Sequence, residues 1–299
     1  MHIVINTPNG NIGRSLALRL LEAGESLTVI SRSEEKVAEV VQRGAKVVVG
    51  STDDAAVLDR AFAGAKAIFW LTPPPARPDF IEWSEGLARL AASKAKAHGV
   101  ARVVVLSSMG AQSGRGTGPV GGLLAVEEAF KAAVPDVMIL RPGYFMENLL
   151  RAVPTLVSEG SISLPIPADR QQPFVATRDI ALKAEGVLRD GTWTGHRYLG
   201  IHGPRSLTYT EVEKLLSEAL GRPVRYVQVS LSDARKGMQG AGLPGFLVEL
   251  LSEMYQSALE GRLDPAEPRT VETTTPTTLA QWAKEVLAPE VARARASAA

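Results

Sequence analysis

An α/β fold built on a doubly wound parallel sheet follows from two features of these 299 residues. Short β-rich runs alternate with helical patterns through the first half of the chain, and the runs are continuously apolar. A strand with one wet face alternates apolar and polar residues, whereas VVV at 47–49 and RVVVL at 102–106 have no polar face to offer. The sheet must therefore be covered on both sides, and strand–helix alternation implies right-handed βαβ crossovers.

Taken in order, the expected strands lie at 2–6, 27–31, 46–49, 67–71, 101–107 and 136–140. Between them, Leu16, Leu20 and Leu21, then Leu87, Leu90 and Ala91, recur at spacings that share one helical face. Past about residue 150 the rhythm loosens into a proline-bearing stretch, a helix at 177–188, short strands at 197–200 and 225–229, and a helix-rich end. Residues 1–150 read as the sheet domain, its sheet completed by later segments near 174–202, and 151–299 as a smaller, helix-rich C-terminal region. The alanine-rich tail from Ala292 is expected to fray.

Composition narrows the chemistry. The chain has no cysteine, which removes thiol nucleophiles, thiolate metal sites and disulfides. Thirty-three basic residues against 32 acidic ones leave +1, with the charges interspersed, so nucleic acid is not an expected partner. The longest apolar runs fall far short of the roughly 20 residues that cross a bilayer. With no secretory signal pattern at the N-terminus, the expectation is a cytoplasmic protein, a monomer or homodimer, acting on a small molecule. The four histidines, His2, His98, His196 and His202, lack metal-ligand spacing, and no metal is expected. His196 and His202 fall in the C-terminal region, where they are either structural or within reach of a substrate.

The segment IVINTPNGNIGRSLALRLLEAG at 3–24 runs strand, glycine-bearing turn, helix. Pyrophosphate binds where unpaired N–H groups of a helix N-terminus point outward, and glycines let it approach the backbone. Thr7, Asn9, Gly10, Asn11, Ile12 and Gly13 are thus candidate cofactor-binding residues of a Rossmann-type domain. The next strand ends in Ser31-Arg32, where an NAD-specific protein carries an acid for the ribose hydroxyls. Arg32, with Arg14 or Lys36, is suited instead to the 2′-phosphate, so NADP(H) is expected over NAD(H). Lys36 has the plainer reading of a solvated helix charge.

The chain resembles the NmrA-like group of atypical short-chain dehydrogenases, which includes NADPH-sensing regulators, quinone reductases and ergot-alkaloid iminium reductases. The resemblance covers nearly the whole chain and rests on NTPNGNIG at 6–13, SR at 31–32, FWLTPPP at 69–75, VVVLSSMGA at 103–111, ILRPGYFMENL at 139–149 and TYTEVEKLLSEALGRPV at 208–224. The family loop reads GATGxxG. Here Thr7 stands at its first glycine, followed by Pro8 and Asn9, and proline fixes φ and removes a donor. The resemblance implies that Ser51 and Thr52 lie near the adenine, Leu71, Thr72, Pro73 and Pro74 over the ribose and phosphates, and Ser107 and Ser108 near the nicotinamide. It further implies that Pro142, Gly143, Tyr144 and Phe145 close the nicotinamide pocket. The same residues also have structural readings, 71–75 as a strand stop and 141–143 as a turn.

Short-chain dehydrogenases pair a proton-donating tyrosine with a lysine four residues later. The residues four beyond Tyr144, Tyr198, Tyr209, Tyr226 and Tyr255 are Asn148, His202, Glu213, Ser230 and Leu259, so the pair is absent. Many NmrA-like enzymes carry a lysine three residues before the Val126-Glu127 position, where this chain has Leu123. Tyr144 and Ser107 remain as candidate catalytic residues. Two readings stand: an NADPH-dependent oxidoreductase delivering hydride to a quinone- or iminium-type electrophile, or a non-catalytic NADP(H)-binding redox sensor acting through a protein partner. Six glycines between Gly110 and Gly122 suggest a flexible lid over an apolar or aromatic substrate. The stripe Leu243, Phe246, Leu247, Leu250, Leu251, Met254 and Tyr255 is either pocket lining or core.

Overall fold

Adjacent residues of the central strands point to opposite faces, and both faces are dry. The structure, a computed structural model, describes residues 1–73 and 77–298. Ile3 and Ile5 of β1 (His2–Ile5) pack into one core with Leu16 and Leu20, while Val4 between them packs into a second core with Phe62 and Trp70. That is why the strand sequences show no alternation. In chain order β1 leads to α1 (Asn11–Glu22), β2 (Ser26–Ser31), α2 (Ala38–Gln42), β3 (Lys46–Val49), α3 (Ala55–Phe62), β4 (Ala67–Leu71), α4 (Phe80–Ala97), β5 (Arg102–Leu106), α5 (Leu123–Ala133) and β6 (Asp136–Pro142). The C-terminal half adds β7 (Tyr144–Phe145), α6 (Val153–Ser158), β8 (Ser161–Leu164), β9 (Phe174–Val175), α7 (Thr177–Arg189), β10 (His196–Ile201), α8 (Tyr209–Leu220), β11 (Arg225–Gln228), α9 (Leu231–Gly240), α10 (Gly245–Leu259), α11 (Leu279–Trp282) and α12 (Ala288–Ala298).

Seven strands form one parallel sheet in the order β10-β6-β5-β4-β1-β2-β3. The order reverses between β1 and β4, the switch point where open α/β sheets leave a crevice beyond the carboxyl ends of their strands. Helices α1 and α7 cover one face and α3, α4 and α5 the other. Strand β10 comes from the C-terminal half and completes the sheet edge beside β6, register Leu199 to Leu140.

A third core, around Phe174, Tyr209, Leu216 and Trp282, holds the rest of the C-terminal half together. Two small parallel pairs belong to it, β7 with β9 and β8 with β11; β7 and β9, two residues each, are too short to announce themselves in the sequence. Helix α8 begins with a reciprocal capping box between Thr208 and Glu211.

Two expectations are corrected. The tail is helical to Ala298, because Leu287 and Val291 are buried in the third core and hold the last turns down. The glycine-rich stretch after β5 is pinned rather than free. Arg262 donates to the carbonyls of Gly116 and Arg115, both at 2.8 Å, Ser257 donates to Gly116 at 2.6 Å, and Glu253 accepts from the Gly118 N–H at 3.0 Å. The stripe on α10 above it stays half-buried, and of its members Tyr255 packs against the third core.

Gly118 has φ of +62°, and a Cβ there would stand 2.3 Å from the Leu250 carbonyl oxygen. Gly118→Ala is expected to cost ~2–4 kcal/mol through backbone strain and overpacking. Gly237→Ala, in α9 with nothing near its Cβ, serves as the control and should be neutral or mildly stabilising. Urea denaturation of both variants decides, and equal midpoints would show that the stretch is not pinned.

Candidate functional site

The first turn of α1 is open. Gly10 is its N-cap with no side-chain cap, and the turn carries no acid, so its N–H groups are free to meet an anion. Gly13 permits the close packing beneath: a Cβ there would lie 1.9 Å from the Thr7 carbonyl oxygen, which also accepts the Gly10 N–H at 3.3 Å. Asn9, Gly10 and Asn11 are exposed, whereas Pro8, Ile12 and Gly13 are buried. Proline at position 8 is accommodated, while the Thr7 hydroxyl is buried without a partner among the described residues. Asn6, which sequence reading passed over, is 4% exposed and clamps the Leu71 backbone, donating to its carbonyl at 2.9 Å and accepting from its N–H at 3.0 Å. That clamp joins the ends of β1 and β4 at the switch point.

The neighbouring strand ends bring the other candidates to the same edge of the sheet. The Ser31 carbonyl accepts from the Gly50 N–H at 2.9 Å, tying the end of β2 to the turn that carries half-buried Ser51 and Thr52. Arg32 and Lys36 are exposed, and neither has a carboxylate partner among the described residues. Arg14 differs, because it is ion-paired with Glu39. Leu71, Thr72 and Pro73 are half-buried, and the Thr72 hydroxyl accepts from Trp70 Nε1 at 3.2 Å. Pro74 lies outside the described residues. The open helix turn, the glycine approach and the two unpartnered cations fit a phosphate-bearing dinucleotide.

Ser107 and Ser108 follow β5, and behind Ser107 lies a buried charge network. The Ser107 hydroxyl donates to Glu127 Oε1 at 2.5 Å, and Glu127 is fully buried. Arg141 grips the same carboxylate through Nε at 3.0 Å and Nη2 at 2.6 Å, reaches Glu267 through Nη1 at 2.9 Å, and lies 4.4 Å from the Tyr198 ring centroid. Because its proton is committed to Glu127, Ser107 presents lone pairs and acts as an acceptor. The signals were an acid on the apolar face of α5, beside Val126 and Phe130, and an arginine closing the apolar run of β6. Leu123, in the family's lysine position, packs against the second core.

Pro142 ends β6, and the next residues split between two cores. Tyr144 leans on the third core, its ring edge-on to Phe174 at 5.3 Å, while Phe145 packs into the first. Burial holds the Tyr144 phenol well above its ordinary range, so it is a neutral donor, and its hydroxyl has no partner among the described residues. His202 is buried, which lowers its pKa, and its Nε2 lies 3.2 Å from the Glu267 carbonyl oxygen. His196 stands at the sheet edge, 3.3 Å from the Val134 carbonyl oxygen. No group of three metal-ligating side chains occurs among the described residues, and no helix there is long and apolar enough to cross a membrane. A groove of about 790 Å³ lies on the outside, between α4 and α5.

A family model described as the NmrA-like family matches residues 1–283. An NAD(P)H azoreductase of Xenophilus azovorans is 30% identical over 274 residues, covering 88% of this chain and 90% of that protein. A (4-alkanoyl-5-oxo-2,5-dihydrofuran-3-yl)methyl phosphate reductase of Streptomyces griseus is 32% identical, covering 79% of this chain and 80% of that protein. An NADPH-dependent quinone oxidoreductase of Escherichia coli, solved with NADPH, superposes with a TM-score of 0.82 at 21% identity over 95% of this chain and 99% of that one, a likeness of fold.

Glu127→Ala leaves the Arg141 guanidinium half-paired in the interior and is expected to destabilise by ~3–5 kcal/mol. Ser107→Ala removes one hydrogen bond and should cost ~1 kcal/mol. Guanidinium denaturation measures both, and a Glu127→Ala loss no larger than that of Ser107→Ala would show the network to be slack.

Proposed function

The chain belongs to the NmrA-like family, an NAD(P)-binding family, and we propose that within it this protein is an NADPH-dependent reductase. Its substrate, in this reading, is a small, flat organic electrophile of quinone or iminium type. The observation that carries the reading is the uncapped, acid-free first turn of α1 at the switch point of a parallel sheet, with Tyr144 and its unpartnered hydroxyl on the same edge. Reductases at 30% and 32% identity over most of this chain support the class of reaction.

The residues divide the work by their chemistry. Asn9 to Gly13 take the pyrophosphate, met by the free N–H groups of the first turn from Asn11 to Gly13, and Arg32 with Lys36 takes the 2′-phosphate, since neither has a carboxylate partner among the described residues while Arg14 is engaged by Glu39. The nicotinamide, when bound, supplies a hydride. Ser107, held as an acceptor by Glu127, takes a hydrogen bond from a donor such as a carboxamide N–H. Tyr144, neutral because burial disfavours its phenolate, donates to an oxygen that gains charge as it is reduced. No lysine is needed for this, because an iminium already carries its charge and a quinone accepts electrons readily. Leu123 in the lysine position favours the second reading, a redox sensor that binds NADP(H) without turnover.

Arg32→Ala should weaken NADPH by about tenfold or more, through loss of a charge-assisted contact, and leave NADH little changed; equal losses in calorimetry would remove the 2′-phosphate role. Tyr144→Phe should lower kcat for quinones by roughly a hundredfold, the smaller end of general-acid effects, and leave iminium reduction unchanged. NADPH absorbance with a panel of both acceptors separates the readings. Cofactor binding with no oxidation by any acceptor would favour the sensor.

A further inference from the structure

The order of the strands gives a bound dinucleotide its direction. Arg32 and Lys36 follow β2, on one side of the open turn of α1, so in the proposed cofactor reading the adenosine half lies over β2 and β3. The nicotinamide half must then run the other way, over β4 and β5. Ser107 stands on that path. It comes one residue after Leu106, which pairs with Leu71 of β4, and β5 lies two strand spacings, about 10 Å, from β1.

The polarity of Ser107 is set from behind. Its N–H is spent on the Leu140 carbonyl at 2.8 Å and its hydroxyl proton on Glu127 Oε1 at 2.5 Å. Glu127 has no room to turn, because Oε1 also takes Arg141 Nε at 3.0 Å, Oε2 takes Arg141 Nη2 at 2.6 Å, and Arg141 is itself held by Glu267. Swinging the Ser107 hydroxyl outward would exchange a charge-assisted hydrogen bond for another and leave a buried carboxylate short of a donor. Two carboxylates against one guanidinium also leave a negative charge in surplus within the network. An anion bound at Ser107 would bring a further negative charge within about 5 Å of Glu127, the span of two short hydrogen bonds. We propose that Glu127 is a positioning residue that, by holding the Ser107 proton, makes this end of the site select a ring carboxamide, which donates, over a ketone or carboxylate in its place. This rests on the NADP(H) reading above and names the group that sets the choice.

Calorimetry tests it with NADP⁺ and two analogues, one carrying an acetyl group and one a carboxylic acid in place of the carboxamide. The acetyl analogue is neutral but has no N–H to give; the acid is charged as well. NADP⁺ should bind about tenfold more tightly than the acetyl analogue, as an acceptor left without its donor implies, and should exceed the acid by a larger factor. In Ser107→Ala the advantage over the acetyl analogue should fall toward one. Glu127→Met frees the Ser107 proton and should reverse the order of those two ligands; circular dichroism shows whether it folds, and Ser107→Ala decides alone where it does not. A loss of stability moves all three affinities together, whereas a change of polarity moves their ratios. Equal affinity for NADP⁺ and the acetyl analogue, an advantage that survives Ser107→Ala, or an unchanged order in folded Glu127→Met would each overturn the assignment and leave the cofactor reading standing. No binding of any of the three would overturn both.

Discussion

Burying both faces of a parallel sheet is the constraint from which the rest of this molecule follows. The main chain inside the sheet is used in the ladder, and the apolar side chains of β1, β4, β5 and β6 divide between two cores, so no ligand enters through a face there. What remains is the edge where the strands end, and parallel pairing puts all seven carboxyl ends there together. The reversal of strand order between β1 and β4 parts the covering helices at that edge. Asn6 keeps the two strand ends in register across the gap while α1 presents its open first turn above it.

The charge network behind Ser107 shows how the edge is held. A guanidinium buried between two carboxylates contributes little net stability over well-packed apolar side chains, but it is intolerant of losing one partner. Each donor of Arg141 has one direction to point, so Glu127 on α5, Arg141 on β6 and Glu267 near the C-terminus are fixed relative to one another. The Ser107 hydroxyl inherits that fixity. The segment carrying Glu253, Ser257 and Arg262 does the same for the glycine-rich stretch above, by occupying its carbonyls and an N–H.

The third core gives the site its other half. Aromatic rings from β7, β9, α8 and β11 stack and lean on one another beside the sheet edge. Their hydroxyl tips are partly satisfied by backbone and partly left open. An edge with an open helix turn next to an aromatic cluster with spare donors fits the proposed hydride chemistry on flat electrophiles, where orientation and exclusion of water matter more than a strong acid.

The sequence by itself determined the strands of the first half, the glycine turn from β1 into α1 and the family, because each is written in neighbouring residues: continuous apolar runs, a glycine turn between strand and helix, short motifs. It also placed the candidates at strand ends, since a parallel sheet leaves nowhere else. Only the tertiary structure decided which of them have partners. Arg141 and Glu267 are 126 residues apart and Ser107 and Glu127 are 20 apart, distances at which a hydrogen bond leaves no periodic trace. Arg14 and Arg32 look alike as letters, yet Glu39 occupies the first and no carboxylate among the described residues occupies the second. The six glycines after β5 carry the composition of a mobile loop, and they became an ordered one because Glu253, Ser257 and Arg262, far along the chain, supply the partners that its backbone lacks.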